Sequence, residues 1–186
     1  MPISAEQAKE AQAIRTPEAF VDWYKTYFDG LFRRGRWSEK EGLAQFLLAQ
    51  HPDWIPFFLN LAVKYLQPIN GPETFSQMFW SLVGNPLVNA AAQFNLDNNR
   101  AVAEARKCKA YVKLLIDKIN EFGWDVRTFR NALSALGISG EPQVQRSVQQ
   151  KKKKVFLFFT KTIPEEVTKE IPIEKEEILA KLTSLL

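Results

Sequence analysis

The chain has 186 residues, 46% of them hydrophobic and 25% charged, with a formal net charge of +4. That is ordinary globular usage, enough to bury a core without staples, and it is far from the basicity of a histone-like protein. The single cysteine, Cys108, rules out an intramolecular disulfide and points to a reducing compartment.

The opening residues, "MPISAEQAKEAQAIR", are polar and carry both signs of charge. They lack the apolar core of a secretory signal. The most apolar helical stretch, Trp54 to Leu66, is interrupted by Pro56, Asn60 and Lys64. It is too short to span a bilayer. A soluble, cytoplasmic protein is therefore expected.

Helix signals then follow in close order. Thr16 is placed as an N-cap with Pro17 behind it, and Phe20, Trp23, Tyr24, Tyr27, Phe28 and Leu31 recur at helical spacing. Ser38 and Glu41 match a capping box opening a second helix through Leu43, Phe46 and Leu47. Asp53 is a candidate cap for a third, with Phe58, Leu61 and Ala62 on its apolar face. "PINGPE" breaks the chain, and Phe75, Phe79 and Leu82 mark a fourth. Asn85 before Pro86 reads as the start of a fifth. Asp97 or Asn98 opens the longest helix, in which Ala101, Ala105, Cys108, Val112, Leu115 and Ile119 recur at three and four until Gly123 stops it. Asp125 caps a last helix ending at Gly137.

After Gly140 the composition shifts. Residues 141–154, polar and lysine-rich, read as a basic linker. The apolar run Val155, Phe156, Leu157, Phe158 and Phe159 has the β-branched and aromatic content of a short strand. "EIPI" is its one candidate pairing partner within the chain. A terminal amphipathic helix places Ile178, Leu179, Leu182 and Leu185 together. The expected fold class is all-α: a compact bundle of about seven helices over 1–140, then the linker, then a docking arm over 155–186 with one short strand and a terminal helix.

Catalytic signals are sparse. His51 is the only histidine and reads as a turn residue in "HPDW". A Cys108–His51 nucleophilic pair is formally available, but Cys108 falls on an apolar stripe where a thiol is inert. No phosphate loop or nucleophile elbow is present, and His and Cys do not cluster at zinc-ligand spacing. No cofactor and no metal are implied.

Two basic clusters suggest phosphate contacts instead. Arg33, Arg34 and Arg36 surround a glycine beside Trp37, whose indole can stack on a base. Arg106, Lys109 and Lys113 are three and four apart on the expected long helix and would share a stripe.

The apolar run beneath its lysine flank has three destinations. It can pack on the helical body, add to a sheet of another protein or of its own copy, or meet an anionic membrane, the least favoured of the three. The lysines keep it from aggregating.

The reading is a non-enzymatic helical subunit or adaptor. It would dock through Val155, Phe156, Leu157, Phe158, Phe159, Leu182 and Leu185. The alternative is a helical subunit that binds RNA or DNA through backbone contacts from Arg33, Arg34, Arg36, Trp37, Arg106, Lys109 and Lys113, without reading sequence.

Overall fold

The computed structural model describes residues 3–31, 38–156 and 159–186, with side chains described for 3–26, 40–151, 162 and 164–186. Helix α1 (Ala5–Ala13) precedes α2 (Pro17–Leu31), α3 (Ser38–Gln50), α4 (Ile55–Leu66), α5 (Pro72–Phe79), α6 (Asn85–Phe94), α7 (Asn98–Ala105), α8 (Lys109–Phe122) and α9 (Val126–Ser134). Strands β1 (Gln143–Phe156) and β2 (Phe159–Ile171) follow, and α10 (Lys175–Thr183) closes the chain. The protein is mostly helical, and the two strands correct the all-α expectation.

Side-chain caps open four of the described helices, α1, α2, α7 and α9. The Thr16 hydroxyl accepts from the Ala19 amide at 3.2 Å, with Pro17 at the first helical position. Asp97 accepts from the amides of Asn99 and Arg100, and Asp125 from that of Thr128. Helix α1 was not foreseen. Its start is a complete capping box between Ser4 and Gln7, in which each residue satisfies the other's free amide.

Three expected boundaries move. Asp53 does not cap α4. It lies in a 3-10 turn, Pro52–Trp54, that leads directly into the helix. Asn85 does not cap α6 but is its first residue, and no break precedes it. Helices α5 and α6 are joined through a π-helical turn, Trp80–Gly84, and the Asn85 amide donates back to the Trp80 carbonyl. Pro86 lacks an amide hydrogen, and its ring crowds the carbonyl four residues earlier, so a widened turn lets the helix continue past it. Gly84 makes that turn possible, because a β-carbon there would stand 2.6 Å from the Trp80 ring.

The expected long helix over 98–123 is two helices. The chain leaves helical geometry at Cys108, which stands at the head of α8 with φ −81° and ψ 84°. The Arg106 guanidinium Nε donates to the Leu136 carbonyl at 2.9 Å, at the C-terminal end of α9. The Cys108 thiol donates to Asn60 Oδ1 at 3.2 Å. Tertiary partners on both sides thus hold the bend.

The core is built on aromatic rings. Phe20, Tyr24, Trp54 and Phe58 join α2 to α4, with Phe20–Trp54 centroids 5.5 Å apart and Tyr24–Phe58 edge-on at 5.2 Å. Phe75, Phe122, Phe129 and Trp124 join α5, α8 and α9, with Phe75–Phe129 at 5.7 Å. Of the expected core residues, Phe20, Phe58, Leu61, Phe79, Val112, Leu115 and Ile119 are buried. Trp23 is partly so, its indole donating to Glu10 at 2.6 Å. The side chain of Phe28 lies outside the described residues.

Gly137 ends α9 with φ +66°. The Ile138 amide reaches back to the Leu133 carbonyl and the Gly137 amide to that of Ser134, a Schellman closure whose apolar contact comes from buried Ile138 and Leu133. A β-carbon on Gly137 would also stand 2.9 Å from Val102 Cγ1. Gly137→Ala should therefore cost about 1–2 kcal/mol in urea unfolding from the left-handed backbone alone. Leu115→Ala should cost about 2–5 kcal/mol. A loss well under 1 kcal/mol at either position would contradict the packing described.

Candidate docking arm

Strands β1 and β2 form an antiparallel two-stranded ribbon, with Gln143 opposite Ile171, Val148 opposite Glu166 and Phe156 opposite Phe159. Fourteen residues at roughly 3.3 Å each give a ribbon of about 45 Å. Every described side chain on it is exposed except Val167, which is half-buried. Val148 is 66% exposed and Val144 57%. The segment expected to be a linker is thus most of β1, and β2 answers it over nearly its whole length.

Both roots of the ribbon are held by the helical body. On the way out, Ile138 is buried and Arg130 pairs with Glu141 at 3.0 Å. On the way back, Ile173 is buried and its carbonyl accepts from the Trp124 indole at 2.9 Å. Helix α10 then lies on α8, with Ile178 and Leu182 fully buried.

The expected docking residues divide accordingly. Leu182 is spent on the chain's own core, and Leu185 packs against that core half-buried, with its carbonyl accepting from the Lys109 ammonium. Within the chain this helix packs on its own body. Val155 and Phe156 end β1 and Phe159 begins β2, so the apolar run does not form a strand of its own. "EIPI" does enter the ribbon through Glu170 and Ile171, but opposite Val144 and Gln143. Leu157 and Phe158 lie outside the described residues, as do the side chains of Val155, Phe156 and Phe159.

The basic clusters fare differently. Arg33, Arg34, Arg36 and Trp37 lie outside the described residues. Arg106 does not share a helix with Lys109 and Lys113, so the expected single stripe is broken. Arg106 and Lys109 stay exposed but hold the carbonyls of Leu136 and Leu185. Lys113 is exposed on the rim of an open hollow of about 410 Å³ between α4 and α8, shared with Asp117 and Glu121. Lys118, on the same hollow, is 4% exposed. Its ammonium donates to the Ile69 carbonyl at 2.6 Å and to Glu121 at 2.8 Å, and stands 5.1 Å from the Phe122 ring. It ties α8 to the turn before α5.

The Cys108 thiol is 2% exposed and turned to Asn60, while His51 is exposed and stacks on Trp54 at 4.2 Å. Burial raises the thiol above its ordinary 9.0, although backbone hydrogen bonds from Tyr111 and Ala110 oppose the shift. Burial, with Cys108 nearby, also raises the Tyr111 phenol well above 10.0, and its hydroxyl donates to the Ala132 carbonyl at 2.8 Å. Among the described residues no group of three or more His, Cys, Asp or Glu side chains is placed to hold a metal, and no helix is long and apolar enough to cross a membrane.

Both raised groups favour the protonated native state. Their contribution is full below the unfolded-state values and is lost as pH rises through the native ones. Stability should therefore hold through neutral pH and fall as pH climbs past 9.0 and then 10.0. Tyr111→Phe should remove the upper part of that fall in a pH series of thermal melts. In the same series a thiol reagent should label Cys108 only as the chain unfolds, and fast labelling of the native protein would contradict its burial. Compared with known proteins, this chain matches no family model, no curated protein and no solved structure.

Proposed function

We propose that this chain is a non-enzymatic helical subunit that joins a larger assembly through its C-terminal ribbon. The observation that carries the reading is the ribbon itself: about 45 Å of two-stranded sheet, clamped at both roots and with all its described side chains but Val167 exposed. Two-stranded ribbons are marginal at best in water. Each strand also leaves one edge of backbone donors and acceptors unpaired, a ready template for a further strand. A body that invests two hydrogen-bonded anchors and a terminal helix in holding such an element outward is built to present it.

A second reading, sequence-independent binding of RNA or DNA, draws support from a different set of cations than Arg33, Arg34 and Arg36. Residues 151–163 hold five lysines and no carboxylate, and a two-stranded ribbon fits the width of a major groove. In this reading Lys113 and the ribbon lysines would contact phosphate, while Arg106 and Lys109 serve the fold.

The docking reading predicts the behaviour of Val144→Asp combined with Val148→Asp. Far-UV circular dichroism should stay helical, because both side chains are exposed. In native cell extract the wild-type chain should elute in a particle well above its own 21.4 kDa, and the double variant should shift to the free chain. Equal elution of the two would remove the ribbon as the docking element.

A further inference from the structure

Resting on the docking reading and narrowing it, we propose that the partner of the β1 edge is a second copy of this chain. The two ribbons would join β1 to β1 about a two-fold axis into one four-stranded antiparallel sheet.

The two edges of the ribbon are not equivalent. β2 carries Pro164 within it and Pro172 directly after it, and proline removes a donor from an edge. β1 has no proline from Gln143 to Phe156. Its root half, residues 143–150, bears one charge, Arg146, and the two most exposed large apolar side chains of the described structure, Val144 and Val148. The β1 edge is the one open to pairing.

Charge selects an antiparallel copy. The tip half of the ribbon, residues 151–163, holds five lysines and no carboxylate, and Lys153 is directly opposite Lys161 in register. Like charges opposite one another are unfavourable until something neutralises them. The root half carries Glu165, Glu166 and Glu170 against Arg146 and Lys169. Antiparallel pairing lays each lysine-rich tip beside the acid-bearing root of the other copy. Parallel or tip-to-tip pairing would set five lysines beside five.

The same constraint selects the register. A two-fold axis perpendicular to the sheet keeps faces, so one residue of β1 is opposite itself. Centring on Arg146 opposes two arginines, and centring anywhere from Lys151 to Lys154 opposes lysines. Centring on Gln150 sets Lys154 against Arg146. Centring on Val148 opposes valine to valine, Arg146 to Gln150, and Lys152 to Val144. Val144 is itself opposite Glu170 within its own ribbon. Lys152 of one copy and Glu170 of the other then fall in one row across the sheet, with Val144 between them.

The full chain tests this directly by sedimentation and by crosslinking. At low salt the wild type should reach twice its 21.4 kDa in the micromolar range and dissociate as salt rises. Under mild oxidation Val148→Cys should form a covalent dimer, since a directly opposed pair falls within disulfide reach. Gln145→Cys should not, because the axis places its two copies six positions apart. Lys152→Glu with Lys153→Glu and Lys154→Glu should be monomeric, as should Glu166→Lys with Glu170→Lys. Both variants leave the Lys151–Glu165 pair at 2.9 Å in place. Mixing the two should restore a dimer. A wild type that stays monomeric at every concentration overturns the proposal. So does a dimer that ignores the charge swaps, or one that crosslinks equally at both cysteine positions. A monomer that instead binds a short duplex through the lysines also overturns it and favours the nucleic-acid reading. If the isolated wild type is monomeric but the valine double variant still loses its large particle in extract, the second-copy proposal fails while the docking reading stands.

Discussion

The hydrogen bond from the Trp124 indole to the Ile173 carbonyl fixes where the chain re-enters the body after its excursion. Such a bond contributes only about 1 kcal/mol by itself. Its leverage comes from position. It places Ile173 in the core, and it delivers α10 to α8, where Ile178 and Leu182 each contribute about 1.5–3 kcal/mol of burial. The outgoing root is held by Ile138 and by the Arg130–Glu141 pair. With both ends fixed, the strands between them are held to one length and one register. Without the return anchor, the same residues would be a polar tail with no reason to pair.

Helix boundaries written in local chemistry were legible in the sequence. Thr16 before Pro17, Asp97, Asp125 and the glycine at 137 act through their own backbone neighbours, so a reader needs no tertiary knowledge to place them. The boundaries that escaped notice depend on distant partners. Ala101, Ala105, Cys108 and Val112 keep three-and-four spacing straight across the bend at 106–108, and no proline or glycine marks it. The bend is held by Leu136 and Asn60, which are remote in sequence. Pro86 misled in the opposite direction. It signals a new helix start, but the π-helical turn ahead of it, opened by a glycine beneath the Trp80 ring, absorbs the proline without a break.

The ribbon was half legible, for a physical reason. A strand announces itself by alternation when one face is buried and the other wet. Here both faces are wet, so "QVQRSVQQ" shows no strong period and reads as a linker. The strong β propensity of "VFLFF" drew attention to the end of β1 and the start of β2, and away from the longer polar stretches that pair. What sequence did convey was that the C-terminal segment differs in kind from the body and sets a lysine run beside an apolar one. It also placed the terminal helix correctly, although the leucines assigned to a partner serve the core.

The polar chemistry inside the body is consumed by the body. Lys118 is held by a backbone carbonyl and a glutamate, Tyr111 by the carbonyl of Ala132, and Cys108 by Asn60. Apart from the Lys118–Glu121 pair within α8, each of these contacts joins segments far apart in sequence, and each would be lost if the group were turned to a substrate. A buried lysine stripped of its partners is costly to keep, because an uncompensated charge in the interior is strongly destabilising. The ribbon is the reverse case. Val144, Val148, the four glutamines of β1 and Lys151 are held out in water by anchors that do not need them, so changing them should leave the fold intact.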